Sequence, residues 1–575
     1  MADSGASLRA WSRTTVAVVV LGVGLRSAQW LGNPSLWLDE LQLVRNIAGR
    51  SMLELLLQGL DRGQVAPAGF LLPTKAVTLA VGNGELALRA VPVAASILAL
   101  IVFWRLVRSL LGPVGALVAT AAFAMNPLLI SLASVVKQYA TDALATVIIL
   151  AAARWLWQHE GSLRRRILVG LGAGAIGFLS IPSIVIAGAA ITALLYHSWQ
   201  SGRFRRKESA AYALAPLVVW GTLALGAALW ARSLLTPGVA DFMTEWWAQD
   251  GAFAPPFTEY PTWVLERWSN AILPGILFRP YVGAGGAVDS LLAPLLNTQA
   301  GWAVLLGVAI LSAAAIRSLL GFAWTAAILL PFPIALGLAR LQVYPMDART
   351  SVFLLPLIFV AAGALSAWLV LAVPRSVAWL RRAIPLLLVL FYTVILIDRP
   401  PVYVVHQDRE VIRELSLRRS DGEPIFAHAW SRSALAYYGP RFGVQDPVVF
   451  GRDAFSVRED LARLAAFRGE PSLWVLFTHS ANRDFLLCYL DEIGVALDHV
   501  VFPGGMRHNP ASLHRYDLSD EARWTSTDAG RAPVTAEAFQ GNPPRCRRPS
   551  WPTASSPYRQ PLLPRSTGAS DSGGR

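Results

Sequence analysis

The sequence predicts a mainly α, polytopic membrane protein that carries a small α/β domain towards its C-terminal end. Three observations point there. Of the 575 residues, 54% are hydrophobic and only 15% charged, too apolar a balance for one soluble globule. Apolar runs of roughly 20 residues, enough to cross about 30 Å of hydrocarbon, alternate with short arginine clusters. Past Asp398 the pattern changes to apolar runs of strand length between amphipathic helical stretches.

The formal charge of +13 would suit a nucleic-acid binder. The arginines fall in short clusters between apolar spans, as cytoplasmic loops do, so the charge reads as topology and nucleic acid is not an expected partner. Cys488 and Cys546 give neither a disulfide framework nor a metal-ligand spacing.

The first run, 14–30, follows Arg9 and Arg13, contains Arg26 and precedes no small-residue cleavage site. It therefore reads as an uncleaved first crossing with a cytoplasmic N-terminus. Residues 32–85 then form an external loop. Within it, 66–81 is too short to cross and carries Pro67, Pro73 and Lys75, so it lies at the outer face as an amphipathic or re-entrant element. Crossings follow at 86–107, 114–131 and 139–157, with Arg105, Arg108 and the cluster 164–166 on the inner side. The run 167–196 breaks around Pro182 and is basic at both ends, which requires two short crossings. After 210–230 comes a second external loop, 232–290, whose Trp246, Trp247, Tyr260, Trp263, Trp268 and Tyr281 suit headgroup depth. Runs at 292–316, 319–338, 352–373 and 384–397 bring the total to about eleven crossings.

This divides the chain into a membrane domain, 1–397, an external (periplasmic or extracellular) α/β domain, 398–520, and a tail, 521–575, rich in Pro, Ser, Thr and Arg and expected to be disordered. In the α/β domain, helices are expected at 409–418, 431–438 and 482–493, and strands at 424–428, 473–478, 496–502 and 512–518.

Charges gather on the outer face. Asp39 and Glu40 follow the first crossing directly, and a charge near hydrocarbon costs roughly 2.5–3.5 kcal/mol on insertion scales. Asp39 has a plainer reading as the N-cap of a helix starting near Leu41. Parity brings Asp142, with Lys137 and Tyr139 just before it, to the same face, together with Glu85, Arg89 and Arg349. Each has a structural explanation of its own. Glu85 and Arg89 stand i, i+4 and pair on a helix surface, Arg349 snorkels, Asp142 complements a helix N-terminus, and Lys137 is its salt-bridge partner. Their convergence on one face marks a candidate site.

The ordered motifs Trp37-Leu38-Asp39-Glu40, Gln64-Val65-Ala66-Pro67-Ala68-Gly69-Phe70, Glu85-Leu86-Ala87-Leu88-Arg89-Ala90-Val91-Pro92 and Lys137-Gln138-Tyr139-Ala140-Thr141-Asp142 resemble those of integral-membrane glycosyltransferases of the GT-C fold. More narrowly they resemble the bacterial group related to protein O-mannosyltransferases (glycosyltransferase family 39) and to the aminoarabinose transferase acting on lipid A. Ser180-Ile181-Pro182, Tyr344-Pro345-Met346-Asp347-Ala348-Arg349 and Glu423 to His428 with Tyr437-Tyr438 extend the likeness over about residues 25–438.

The resemblance implies transfer of a sugar from a polyprenyl-phosphate donor to a lipid, glycan or protein acceptor at the outer leaflet of a bacterial inner membrane. It assigns Asp39 as principal catalytic or metal-contacting carboxylate, Glu40 beside it and Asp142 as the second acid. A divalent ion held by Asp39 and Asp142 is one option for meeting the leaving phosphate. The chain departs from the group near Pro67: relatives carry Lys or His where Val65 and Ala66 stand. Donor binding then falls to Lys75, Lys137, Arg89 or Arg349, with Tyr139 alongside. Chemically, a carboxylate takes the acceptor's proton and a guanidinium or a metal neutralises the phosphate. Two other classes compete: a lipid or polysaccharide transporter, which would hold polar groups at the midplane and show two related halves, and a degenerate transferase-like scaffold.

Overall fold

The computed structural model describes residues 2–255, 259–268, 273, 287–296, 298–377, 379–445, 447–452, 457–479, 483–502 and 510–523. Eight helices among them are long and apolar enough to cross a membrane. That number takes Ala90–Met125 once, although the chain leaves the helical region inside it at Gly112, where φ is 67° and ψ −176°. Only glycine adopts that φ without strain, and the residue before Pro113 is kept out of the α region, so the break falls between the runs 86–107 and 114–131. The eight also leave out Leu163–Ala175 and Ser183–Gln200, which flank the expected break at Pro182.

Arg26, in the first crossing, is fully buried. It donates to Ser96 Oγ (2.8 Å) and to the carbonyls of Gly22 (3.0 Å), Phe123 (3.0 Å) and Ala124 (2.8 Å). Pro127 cannot supply the N–H that would continue a helix onto Phe123. The guanidinium takes that place, which is why an arginine sits inside an apolar run. Around it Phe103 stacks on Phe123 at 4.6 Å, and Phe123 meets Phe359 edge-on at 6.0 Å.

The C-terminal part builds a five-stranded sheet from β1 (Ile425–Ala427), β2 (Val448–Phe450), β3 (Leu473–Phe477), β4 (Val495–Phe502) and β5 (Ala511–Asp517), in the order β2-β1-β3-β5-β4. β1 is parallel to β2 and β3, while β5 is antiparallel to β3 and β4. The buried runs of β1, β3 and β5 are legible as strands. β2 has three half-exposed or exposed residues, too short for a periodicity, and is absent from the expectation. The helix Val457–Ala465 is also unanticipated. Cys488, on Arg483–Ile493, is disulfide-bonded, against the reading of no disulfide.

The sheet and the loop after the first apolar helix share one hydrophobic core. Leu36, Leu43, Ile47 and Phe70 pack with Val411, Ile412, Leu415 and Trp474. Tyr438 locks the seam, donating to Glu85 and accepting the Leu36 N–H at 2.8 Å. Arg409 adds an ion pair to Glu85 at 2.6 Å and donates its backbone N–H to Ser35 Oγ at 2.8 Å. Glu85 therefore pairs with the α/β part and not with Arg89, four residues on. In the second loop, helices Pro237–Gln249 and Tyr260–Arg267 are described; Tyr281 and the tail beyond 523 lie outside the described residues.

Candidate active site

The helix Leu38–Gly49 opens the site, and its first turn sends two neighbouring carboxylates in different directions, since successive residues are about 100° apart. Glu40 turns inward and is 1% exposed. Its Oε2 accepts the Trp37 N–H (3.3 Å), its Oε1 the Val136 N–H (2.8 Å), and both oxygens stand 3.3 Å from Arg89 Nη2. Glu40, not Asp39, thus serves the helix N-terminus. Burial pushes its carboxyl up, against Arg89 and the two N–H donors. Arg89, also 1% exposed, donates further to Asn33 Oδ1 (3.2 Å) and to the carbonyls of Pro34 and Ser35. Both groups are spent on holding the loop and the turn before Tyr139.

Asp39 turns outward, where its Oδ2 lies 3.0 Å from Arg349 Nη1. Arg349 stacks 4.9 Å over Trp247, and its Nε is 3.8 Å from Asp347, which Arg267 holds at 3.3 Å. Burial alone would raise the Asp39 carboxyl, but Lys137, Arg349 and His479 outweigh it and hold it below the usual range. Lys137 is buried and donates to Gln64 Oε1, while Gln64 donates to Gln42 Oε1 at 2.8 Å. Burial lowers its ammonium, opposed by Asp39.

Tyr139 lies within electrostatic reach of Arg349, Asp39, Asp347 and Asp142. Asp142 sits one turn further into the bundle on Tyr139–Gln158, 2% exposed, with Oδ1 unpaired among the described residues. It faces Ser180, close enough to interact but without a hydrogen bond of good geometry. The glycine of the Pro67 motif makes this approach possible: a Cβ on Gly69 would meet the Phe178 carbonyl at 2.8 Å and Leu179 Cα at 2.9 Å.

Residues 65–224 match the family model described as dolichyl-phosphate-mannose-protein mannosyltransferase. The match supports a membrane glycosyltransferase. It bears out the likeness read from the motifs, and its span holds Lys75, Arg89, Lys137, Tyr139 and Asp142, with Asp39 and Arg349 outside it. Among solved structures, the chain is similar to the crystal structure of ArnT from Cupriavidus metallidurans bound to undecaprenyl phosphate, at 12% identity and a TM-score of 0.44, covering 88% of this chain and 98% of that one. It is likewise similar to the apo crystal structure of that ArnT, at 12% identity and a TM-score of 0.43, over 87% of this chain and 98% of that one. No curated protein matches the chain.

Of the sequence-named residues, Asp39, Lys137, Tyr139 and Arg349 converge, and Asp142 adjoins them. Glu40 and Arg89 lie beneath as a closed pair. Lys75 stands apart: its Nζ donates to the carbonyls of Ile47 (2.9 Å) and Ala48 (3.2 Å), capping the C-terminal end of Leu38–Gly49. Trp247, Asp347, Gln64 and His479 join the site unannounced. Asp347 and Gln64 lay inside quoted motifs, whereas Trp247 carried no signal beyond a run of aromatics.

For a metal the fit is poor. Among the described residues no group of three or more His, Cys, Asp or Glu is arranged to hold an ion, and Asp39 already faces Arg349. The cations beside Asp39 are Arg349 and Lys137.

Proposed function

We propose that this chain transfers a sugar from a polyprenyl-phosphate donor to an envelope acceptor at the outer face of a bacterial inner membrane, with its α/β part on that face. The observation that carries the reading is the Asp39–Arg349 pair at the mouth of an apolar bundle, beside buried Lys137. A small cleft bordered by Leu55, Leu71, Ile181, Trp230 and Leu234 reaches Gln64, the partner of Lys137.

Arg349 supplies a two-pronged donor for phosphate. As the donor phosphate draws Arg349 away, the burial of Asp39 acts with less opposition and its carboxylate becomes a stronger base. The acceptor hydroxyl then loses its proton, its oxygen bonds the anomeric carbon, and the sugar–phosphate bond breaks with the electron pair leaving on phosphate. Asp142 and Tyr139 line the same space and serve to orient the sugar.

The test compares envelope lipids, glycans and glycoproteins by mass spectrometry in cells with and without the protein. Loss of one sugar from one species, with its polyprenyl-phosphate sugar accumulating, is expected. An unchanged envelope would refute the reading.

A further inference from the structure

His479 is contributed by the external α/β part, just past β3, and interacts electrostatically with Asp39. Behind it runs a buried chain. His479 Nδ1 is 3.4 Å from His406 Nε2, and His406 Nδ1 is 3.6 Å from Asp408 Oδ1, with His406 and Asp408 each 1% exposed. Trp430 packs against His479 with ring centroids 4.7 Å apart and the planes tilted by 33°. His406 Nδ1 and Asp408 Oδ1 have no hydrogen-bond partner in place, a cost in a buried pair that structure alone does not repay. His479 Nε2 forms no hydrogen bond among the described residues.

Building on the glycosyl-transfer reading, we propose that His479, in place of Asp39, is the catalytic residue that takes the acceptor hydroxyl's proton, at Nε2, while His406 and Asp408 position it and pass the charge on. The acceptor O–H bond breaks and the proton goes to His479 Nε2. The Nδ1 proton of His479 moves to His406 Nε2, and that of His406 to Asp408. The acceptor oxygen meanwhile bonds the anomeric carbon and phosphate leaves with its electron pair. Asp39 then stabilises the developing positive charge at the sugar. Two tendencies agree with this. Burial, with His406 and His428 and against Asp39, lowers His479 to about 3, so the ring is neutral and able to accept. Burial also raises Asp408, helped by Glu410 and opposed by His406, so that carboxyl is a ready end point for the proton. The 3.6 Å gap is of the kind that closes only when substrate is bound.

The test mixes purified full-length protein with membranes from cells that lack it, which supply donor and acceptor, and follows the restored species from pH 5 to 9. His479→Gln should lower the rate at least ~10²-fold across this whole range, because the ring is neutral throughout it and adds no limb of its own. Binding of undecaprenyl phosphate and the melting temperature should stay as in the wild type. Asp408→Asn should lower the rate about tenfold, a smaller effect through positioning. A His479→Gln protein with the wild-type rate overturns the proposal. So does one that loses undecaprenyl-phosphate binding along with rate, since His479 would then serve the phosphate. Asp39→Ala in the same assay separates the two levels: full activity there sinks the glycosyl-transfer reading of this site, whichever way His479 behaves.

Discussion

At the scale of single residues, adjacent acids have opposite fates because about 100° of helix rotation separates them. Asp39 keeps 29% of its side chain exposed and faces Arg349, whereas Glu40 is sealed against Arg89. Removing Arg349 takes away a cation that holds the Asp39 carboxyl low and leaves burial to raise it. Arg349→Ala should therefore move the acid limb of the pH–rate profile upward, because the carboxylate protonates at higher pH, and should raise the apparent donor KM. An acid limb that stays in place or moves down, with KM unchanged, would remove Arg349 from the site. Arg89→Ala should act on stability. It strands a buried carboxylate, a loss of about 3–5 kcal/mol, to be read as a lower melting temperature and yield of the purified protein.

At the scale of elements, the helix Leu38–Gly49 is the lever. Glu40 ties its start to the turn bearing Lys137, and Lys75 caps its end on the Ile47 and Ala48 carbonyls. Lys75→Met should cost on the order of 1–3 kcal/mol of stability, measured by thermal unfolding, while the donor KM stays as it was; a raised KM with unchanged stability would return Lys75 to the substrate. Nothing in the sequence distinguishes these fates, since Lys75 and Lys137 both sit in apolar company and only the tertiary partners differ. The crossings were more legible. Hydropathy set their places, Arg26 included, and the Gly112-Pro113 step fell between two of them because both residues oppose a helix there. β2 and the pairing of Glu85 with Arg409 were hidden, the first by its length and the second by a separation of 324 positions.

On the scale of the whole molecule, the α/β part shares a core with the loop after the first apolar helix, where Leu36, Leu43, Ile47 and Phe70 meet Val411, Ile412 and Leu415. Deleting residues 399–575 should bare that surface and leave no monodisperse protein on size-exclusion chromatography; a well-behaved truncated membrane part would contradict the shared core. The sheet thereby fixes the loop that presents Asp39, and loop, turn and bundle together bring Asp39, Lys137 and Arg349 to one place. Asp39→Asn tests that account most directly, because it keeps the shape of the side chain and removes its charge. Purified alongside the wild type and assayed for the envelope species that is lost in cells without the protein, it should elute and melt like the wild type yet form product at least ~10²-fold more slowly. Product formed at the wild-type rate would contradict the central claim.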